Sequence, residues 1–176
     1  MSLARAALYC GDRVGLVAYG RKIQARLPVA RGAAHWRGFL EQLAQVSGEL
    51  VEADHARAAG NLLARQRRRS LVVWLTDLAE TAATPEVMEA ASRLAPRRPV
   101  LFAVVGEPEL RALALSRPES AAQMYRYAAA LEVIGRRDLL LRRLRERGLL
   151  ALEFSPDRLS LGLVNQYLQI KERSML

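Results

Sequence analysis

The stretch Ser70-Leu71-Val72-Val73-Trp74-Leu75-Thr76-Asp77-Leu78 brings an acidic side chain to the end of five consecutive apolar residues, Leu71 to Leu75. A short apolar run that stops at polar residues reads as a strand buried on both faces, the pattern of a parallel sheet. Ligands of such sheets gather beyond the carboxyl ends of the strands, which puts Asp77 at the mouth of the crevice. A carboxylate there is costly unless it is paired or holds a cation. Mg²⁺ suits the place, because it takes a few hard oxygen donors and completes its octahedron with water. The competing reading is structural: Asp77 caps the loop or helix that follows. Asp54 stands before a predicted helix and reads as its N-cap.

Other reactive side chains stand alone. Cys10 has no partner cysteine and reads as a buried packing thiol. His35 adjoins Trp36, His55 follows Asp54, and neither has zinc-ligand spacing. No phosphate-cradling glycine motif and no G-x-S-x-G elbow occurs, so nucleotide-binding and serine-hydrolase readings have no support. The glycines at positions 11, 15 and 20 read as turn residues. A metal-assisted hydrolase using Asp77 would need a base or nucleophile nearby, and none stands out.

The totals fit this picture. The 176 residues suit one domain with a core of its own, and 51% hydrophobic with 26% charged residues is the balance of a soluble globular chain. A single cysteine excludes an internal disulfide framework and fits a reducing, cytoplasmic-type compartment. No apolar stretch approaches the ~20 residues that span a bilayer, and no signal peptide is visible at the start. The net charge of +9 raises nucleic acid as a partner. Of the 27 basic residues only Lys22 and Lys171 are lysines. Abundant Arg, Ala and Leu follow the codon bias of a GC-rich genome, and the arginines spread over helix faces rather than forming an aromatic-lined stripe.

The elements that must position Asp77 follow from periodicity. Ser2 to Cys10 reads as a short helix ended by Gly11-Asp12. Val14 to Tyr19 is a strand, and Ile23 to Leu27 an edge strand in a hairpin with it, closed by Pro28. Helices span Ala33 to Val46, with Trp36, Phe39, Leu40 and Leu43 inward, and Asp54 to Arg68, with Ala58, Leu62 and Leu63 inward. After the strand Leu71 to Thr76, Thr84-Pro85-Glu86 starts a helix to about Leu94. Pro99 to Val105 is a second buried strand. A short helix runs to about Leu115, and the longest begins at Arg117-Pro118-Glu119 and stops at Gly148. Leu149 to Phe154 is the last strand. The final helix, through Arg173, buries Leu159, Leu163, Tyr167 and Ile170. This alternation predicts an α/β three-layer domain with a mainly parallel sheet. The chain opens on a helix with no strand before it, so that helix reads as half of a crossover unit.

Four stretches together carry a family resemblance: Gly11-Asp12-Arg13-Val14-Gly15-Leu16-Val17-Ala18-Tyr19-Gly20, Arg31-Gly32, Ser70 to Leu78, and Leu163-Val164-Asn165-Gln166-Tyr167-Leu168. In this order they resemble a bacterial family of uncharacterised function whose members are similar to von Willebrand factor A domains and are usually paired with MoxR-type AAA+ ATPases. The resemblance implies one Rossmann-like domain over residues 1–176, with strand order 3-2-1-4-5-6 and strand 3 antiparallel. It also implies a metal-ion-dependent adhesion site built from an Asp-x-Ser-x-Ser loop, a Thr and an Asp. Asp77 matches the last of these. Asp54, in the loop Glu52-Ala53-Asp54, is the nearest oxygen donor to the second. The first has no counterpart. The chain therefore reads as an amino-terminally truncated domain that lacks its first, central strand.

Three outcomes are expected for the strands on either side of the missing one: a gap, direct re-pairing of Val14–Tyr19 with Leu71–Thr76, or a strand donated by another chain, which would allow self-association. The resemblance implies Mg²⁺ for the full-length protein and no tight binding to this chain. It implies a protein-interaction module partnering a MoxR-type ATPase, and no enzyme. Family members often carry membrane-spanning helices before this domain, which leaves membrane anchoring of the full-length protein open. The alternative is a basic nucleic-acid-associated protein. Salt-dependent binding to random duplex would favour that alternative, and no retention on heparin at ~50 mM salt would end it.

Overall fold

The computed structural model describes residues 1–49, 53–66, 68–76 and 85–173, apart from the side chains of Pro85 and Arg97. Asp77, Glu52 and the proposed helix cap Thr84 lie outside the described residues. The order of elements is α1 (Ser2–Tyr9), β1 (Val14–Tyr19), β2 (Ile23–Ala30), α2 (Ala33–Ala44), α3 (His55–Arg65), β3 (Val72–Thr76), α4 (Pro85–Leu94), β4 (Val100–Val105), α5 (Pro108–Leu115), α6 (Ala121–Glu146), β5 (Leu150–Phe154) and α7 (Leu159–Glu172). The chain divides into two compact units, residues 1–69 with 160–176, and residues 70–159.

In the first unit β1 and β2 form an antiparallel hairpin whose register is irregular between Val14 and Leu16. Leu16 faces Leu27 and Val14 faces Ala30, so two residues, Pro28 and Val29, stand opposite Gly15. This is a β-bulge, which explains why β2 runs on past Pro28, where the sequence suggests it should stop. A bulged residue needs no ladder N–H, so proline is tolerated there. Gly15 is thus a strand residue rather than a turn residue. A Cβ on it would lie 2.9 Å from Val29 Cγ1 and 3.0 Å from the Leu27 carbonyl oxygen.

α1 ends in a turn that aims the next residue. Gly11 has φ of 81°, its N–H donates to the Leu8 carbonyl at 3.1 Å, and the Asp12 N–H donates to the Ala7 carbonyl at 2.9 Å. This is the Schellman arrangement, which needs a residue without Cβ strain at the left-handed position. Asp12 then accepts hydrogen bonds from the Tyr167 hydroxyl and, at 2.8 Å, from Lys171 Nζ. Lys171 also donates to the Cys10 carbonyl at 3.1 Å. Two of the stretches that carry the family resemblance therefore meet in space. Tyr167 is buried with Leu163 and Ile170, as the helical spacing predicts. Cys10 is exposed, not buried, because it is the C-cap of a short helix at the surface. In α3 the buried residues are His55, Ala58 and Ala59, while Leu62 and Leu63 are only partly covered.

In the second unit β3, β4 and β5 form a parallel sheet in that order, with Val72 paired to Val100 and Leu101 to Leu150. The expected α/β, Rossmann-like class is what the structure has: parallel strands flanked by helices. β4 is the central strand, and Val100 to Val104 are all buried. β3 was expected to be buried on both faces. Only Trp74 is fully buried, and Leu75 is 50% exposed. The physical reason is position, because β3 is an edge strand of its ladder. Among the described residues β1 is paired with β2 alone and β3 with β4 alone, so the ladders contain no direct β1–β3 re-pairing.

Both crossovers of this sheet advance in the same direction. Right-handed connections then place α4 and α6 on one face, and Arg147 on the C-cap of α6 donates to Ser92 Oγ of α4 at 3.1 Å. α6 starts later than Pro118, because Ser120 caps it by accepting from the Gln123 N–H while Gln123 Oε1 accepts from the Glu119 N–H at 2.6 Å. This reciprocal pair is a close variant of the capping box. α6 ends in a second Schellman turn at Gly148, φ 78°, which carries the buried Leu149 back onto Leu144.

Two measurements check this account. Gly15→Ala should cost about 1–3 kcal/mol in urea unfolding, because both neighbours are stiff. Gly60→Ala, inside α3 with nothing within 4 Å of the new Cβ, should instead stabilise by about 0.5–1 kcal/mol. The Asp12 cluster makes stability depend on pH. Burial pushes the Asp12 carboxyl up, but hydrogen bonds from Lys171 and Tyr167 and the Lys171 charge outweigh it and hold the group below its ordinary range. Its contribution is therefore present above about pH 3.9 and is lost as pH falls through the lowered value. Burial, then the Asp12 carboxylate, push the Tyr167 phenol up, so its contribution holds below about pH 10 and fades above that. Stability profiles of Asp12→Asn and Tyr167→Phe should flatten on the acid and alkaline sides respectively.

Candidate functional site

The residues at the carboxyl end of β1 gather the polar groups of the first unit. Tyr19 is the last residue of β1, and its hydroxyl lies 3.0 Å from Nδ1 of the buried His55. The rings meet edge to face with centroids 5.8 Å apart. Gly20 follows, and its carbonyl accepts from the Asp54 N–H at 3.0 Å. A Cβ on Gly20 would run into the Glu49 carboxylate, so a glycine is what lets that acid approach the strand end. His35, from α2, uses Nε2 to reach the Val14 carbonyl at 2.7 Å and is likewise occupied with backbone.

Asp54 sits here as the N-cap of α3. Its Oδ1 accepts from the Arg57 N–H at 2.8 Å, and Oδ2 is 3.2 Å from Arg57 Nε. Both carboxylate oxygens are thus engaged by the helix start and by a guanidinium one turn on. A capping carboxylate gains from the helix dipole as well as from the hydrogen bond. For Mg²⁺ the ion would need several hard oxygens facing one point. Among the described residues no group of three His, Cys, Asp or Glu side chains could hold a metal ion. The described residues do not fit the ion, and Asp77, the other proposed ligand, lies outside them.

A second polar cluster stands at the carboxyl ends of β4 and β5 in the other unit. Arg137 of α6 is buried, and its Nη2 pairs with Glu107 Oε1 at 2.8 Å while Nη1 reaches Glu153 Oε1 at 3.4 Å. Arg111 of α5 pairs with the other oxygen of Glu153 at 2.7 Å. The Glu153 hydrogen bond and charge, in that order, push the Arg111 guanidinium up, further into its charged form. Gly106 leaves room for the Glu153 carboxylate, which a Cβ would meet at 2.5 Å. Two arginines on two acids, one of them from a strand, pin α5 and α6 to β4 and β5. Sequence reading misses this cluster. Arg137 looks like one more surface arginine, and only its place on the buried face of α6, one turn before Leu140 and Leu141, could have shown otherwise.

These hydrogen bonds and ion pairs tie the elements of each unit together. Asp54, Glu107 and Glu153 at these strand ends are each matched to an N–H or a guanidinium. No described helix is long and apolar enough to cross a membrane. A search of curated proteins and a search of solved structures each return no match to this chain. A family profile does match, over residues 1–125, and spans α1 to the first turn of α6. It takes in three of the four stretches singled out in the sequence, ending before Leu163–Leu168. The chain belongs to the family described as Protein of unknown function DUF58.

Proposed function

We propose that this chain is a protein-interaction module of the von Willebrand factor A-like type, with an incomplete metal-ion-dependent adhesion site. It works with a MoxR-type AAA+ ATPase in assembling or remodelling other proteins, and it binds rather than catalyses. The observation that carries this reading is the strand order. The antiparallel β2–β1 pair and the parallel β3-β4-β5 sheet are, in connectivity and sense, the two parts of a 3-2-1-4-5-6 order on either side of its first strand. The engagement of Asp54 by Arg57 supports the incompleteness of the site. Mg²⁺ belongs in this proposal to the full-length protein, where Asp77 and an upstream loop would share it.

Calorimetric titration with Mg²⁺ should show no stoichiometric heat. Asp54→Ala should cost about 1 kcal/mol of stability, by loss of the cap, and equally in Mg²⁺ and in EDTA. Sedimentation of the chain with a purified MoxR-type ATPase should yield a complex that EDTA leaves intact. Absence of that complex at ~100 µM, where even weak specific pairing registers, would sink the interaction reading. Tight stoichiometric Mg²⁺ binding would sink the incomplete site.

A further inference from the structure

α6 is 26 residues long and carries apolar side chains on two opposite faces. One face, Ala130, Leu140, Leu141 and Leu144, is buried. The other holds Met124 at 53% exposure, Tyr125 at 78%, Leu131 at 44% and Leu139 at 41%, with the exposed Ala128 and Gly135 between them. Positions 124, 128, 131, 135 and 139 recur at three and four residues, the spacing of a single helical stripe. Scattered exposed leucines need no explanation, but a contiguous apolar stripe marks a contact surface.

The stripe is self-complementary. Turned end for end about a two-fold axis near Leu131, Met124 meets Leu139 of the second copy and Ala128 meets Gly135. The two small residues let the helices close at the points between the large ones. Charge points the same way. The exposed charged residues from Ala121 to Leu139 are Arg126, Arg136, Glu132 and Asp138, which balance, although the whole chain carries +9. A face for an anionic membrane or an acidic partner would be basic, whereas a neutral face can meet its own copy without repulsion.

We infer that this face of α6 pairs with α6 of a second copy, antiparallel, with Leu131 at the two-fold axis. This inference is independent of the proposed adhesion-type function. The facing strip covers about 22 Å of helix at ~1.5 Å per residue. Across one helix width of ~10 Å, that lies below the ~800 Å² per partner of a standard stable interface. The dimer is therefore reversible, with dissociation in the range of ~10 to ~500 µM.

The test uses the full chain with Cys10→Ser as background. Sedimentation should show a monomer–dimer equilibrium in that range, and Leu131→Glu should weaken it at least ~10-fold while leaving the circular dichroism spectrum unchanged. Under mild oxidation Leu131→Cys should form a disulfide-linked dimer. Met124→Cys alone should not, since the two copies of that residue stand ~22 Å apart in antiparallel helices, but mixed with Leu139→Cys it should cross-link. A chain that stays monomeric to ~1 mM, a Met124→Cys that links to itself as readily as Leu131→Cys, or binding to phosphatidylglycerol vesicles that Leu131→Glu abolishes would each overturn the inference.

Discussion

The Asp12 carboxylate, held by Tyr167 and Lys171, joins the first loop of the chain to its last helix across 155 residues of sequence. The first unit is discontinuous, residues 1–69 with 160–176, and this cluster is one of the places where its two segments are fastened. Its geometry starts in the α1 turn. With Gly11 in the left-handed region, the chain reverses tightly enough to present Asp12 to α7. The Lys171 ammonium and the phenol both donate to one carboxylate oxygen, and a charge-assisted pair of this kind is stronger than a neutral one. Burial alone would penalise the carboxylate, and the two donors reverse that penalty.

The second unit solves the same problem with other residues. β4 is central and wholly apolar, so its neighbours must supply every polar contact at its carboxyl end. Glu107, Glu153, Arg111 and Arg137 do so as a four-member ion network. A buried guanidinium adds little net stability compared with an apolar side chain of its size, yet removing one partner from such a network is costly. The network's effect is registration, since it ties α5 and α6 to the strand ends in one arrangement. The described acids of these clusters act as anchors and caps. Asp12 is an anchor, Asp54 caps α3, and Glu153 braces α6.

α6 departs from this economy of partners. Its buried half follows the packing rules of a surface helix on a sheet, while its outer face is too apolar for a helix that meets only water. The family profile ends at residue 125, inside the first turns of this helix. The outer stripe therefore lies almost wholly beyond the residues that the profile matches.

Much of the fold is legible from local chemistry. Alternation of apolar runs and helical periods is enough for the α/β class and for nearly every element, and Gly11 and Gly148 announce their helix ends because few other residues tolerate that backbone. The stripe of α7 is readable from spacing alone. What the sequence could not reveal depends on neighbours remote in the chain. Pro28 signals a stop, and only the bulge opposite Gly15 shows why β2 continues. The apolar run before Asp77 reads as a strand covered on both sides, but coverage belongs to the sheet, and at an edge Leu75 meets solvent. Asp54 reads as a helix cap, and the structure adds only that Arg57 engages both of its oxygens. Arg137 is indistinguishable from its exposed neighbours until tertiary packing turns it inward. Sequence alone determines which residues can form an element, because that follows from backbone sterics and periodicity. Which charges are partnered and which apolar faces are covered is decided only by the tertiary structure, because burial and pairing are properties of surfaces brought together.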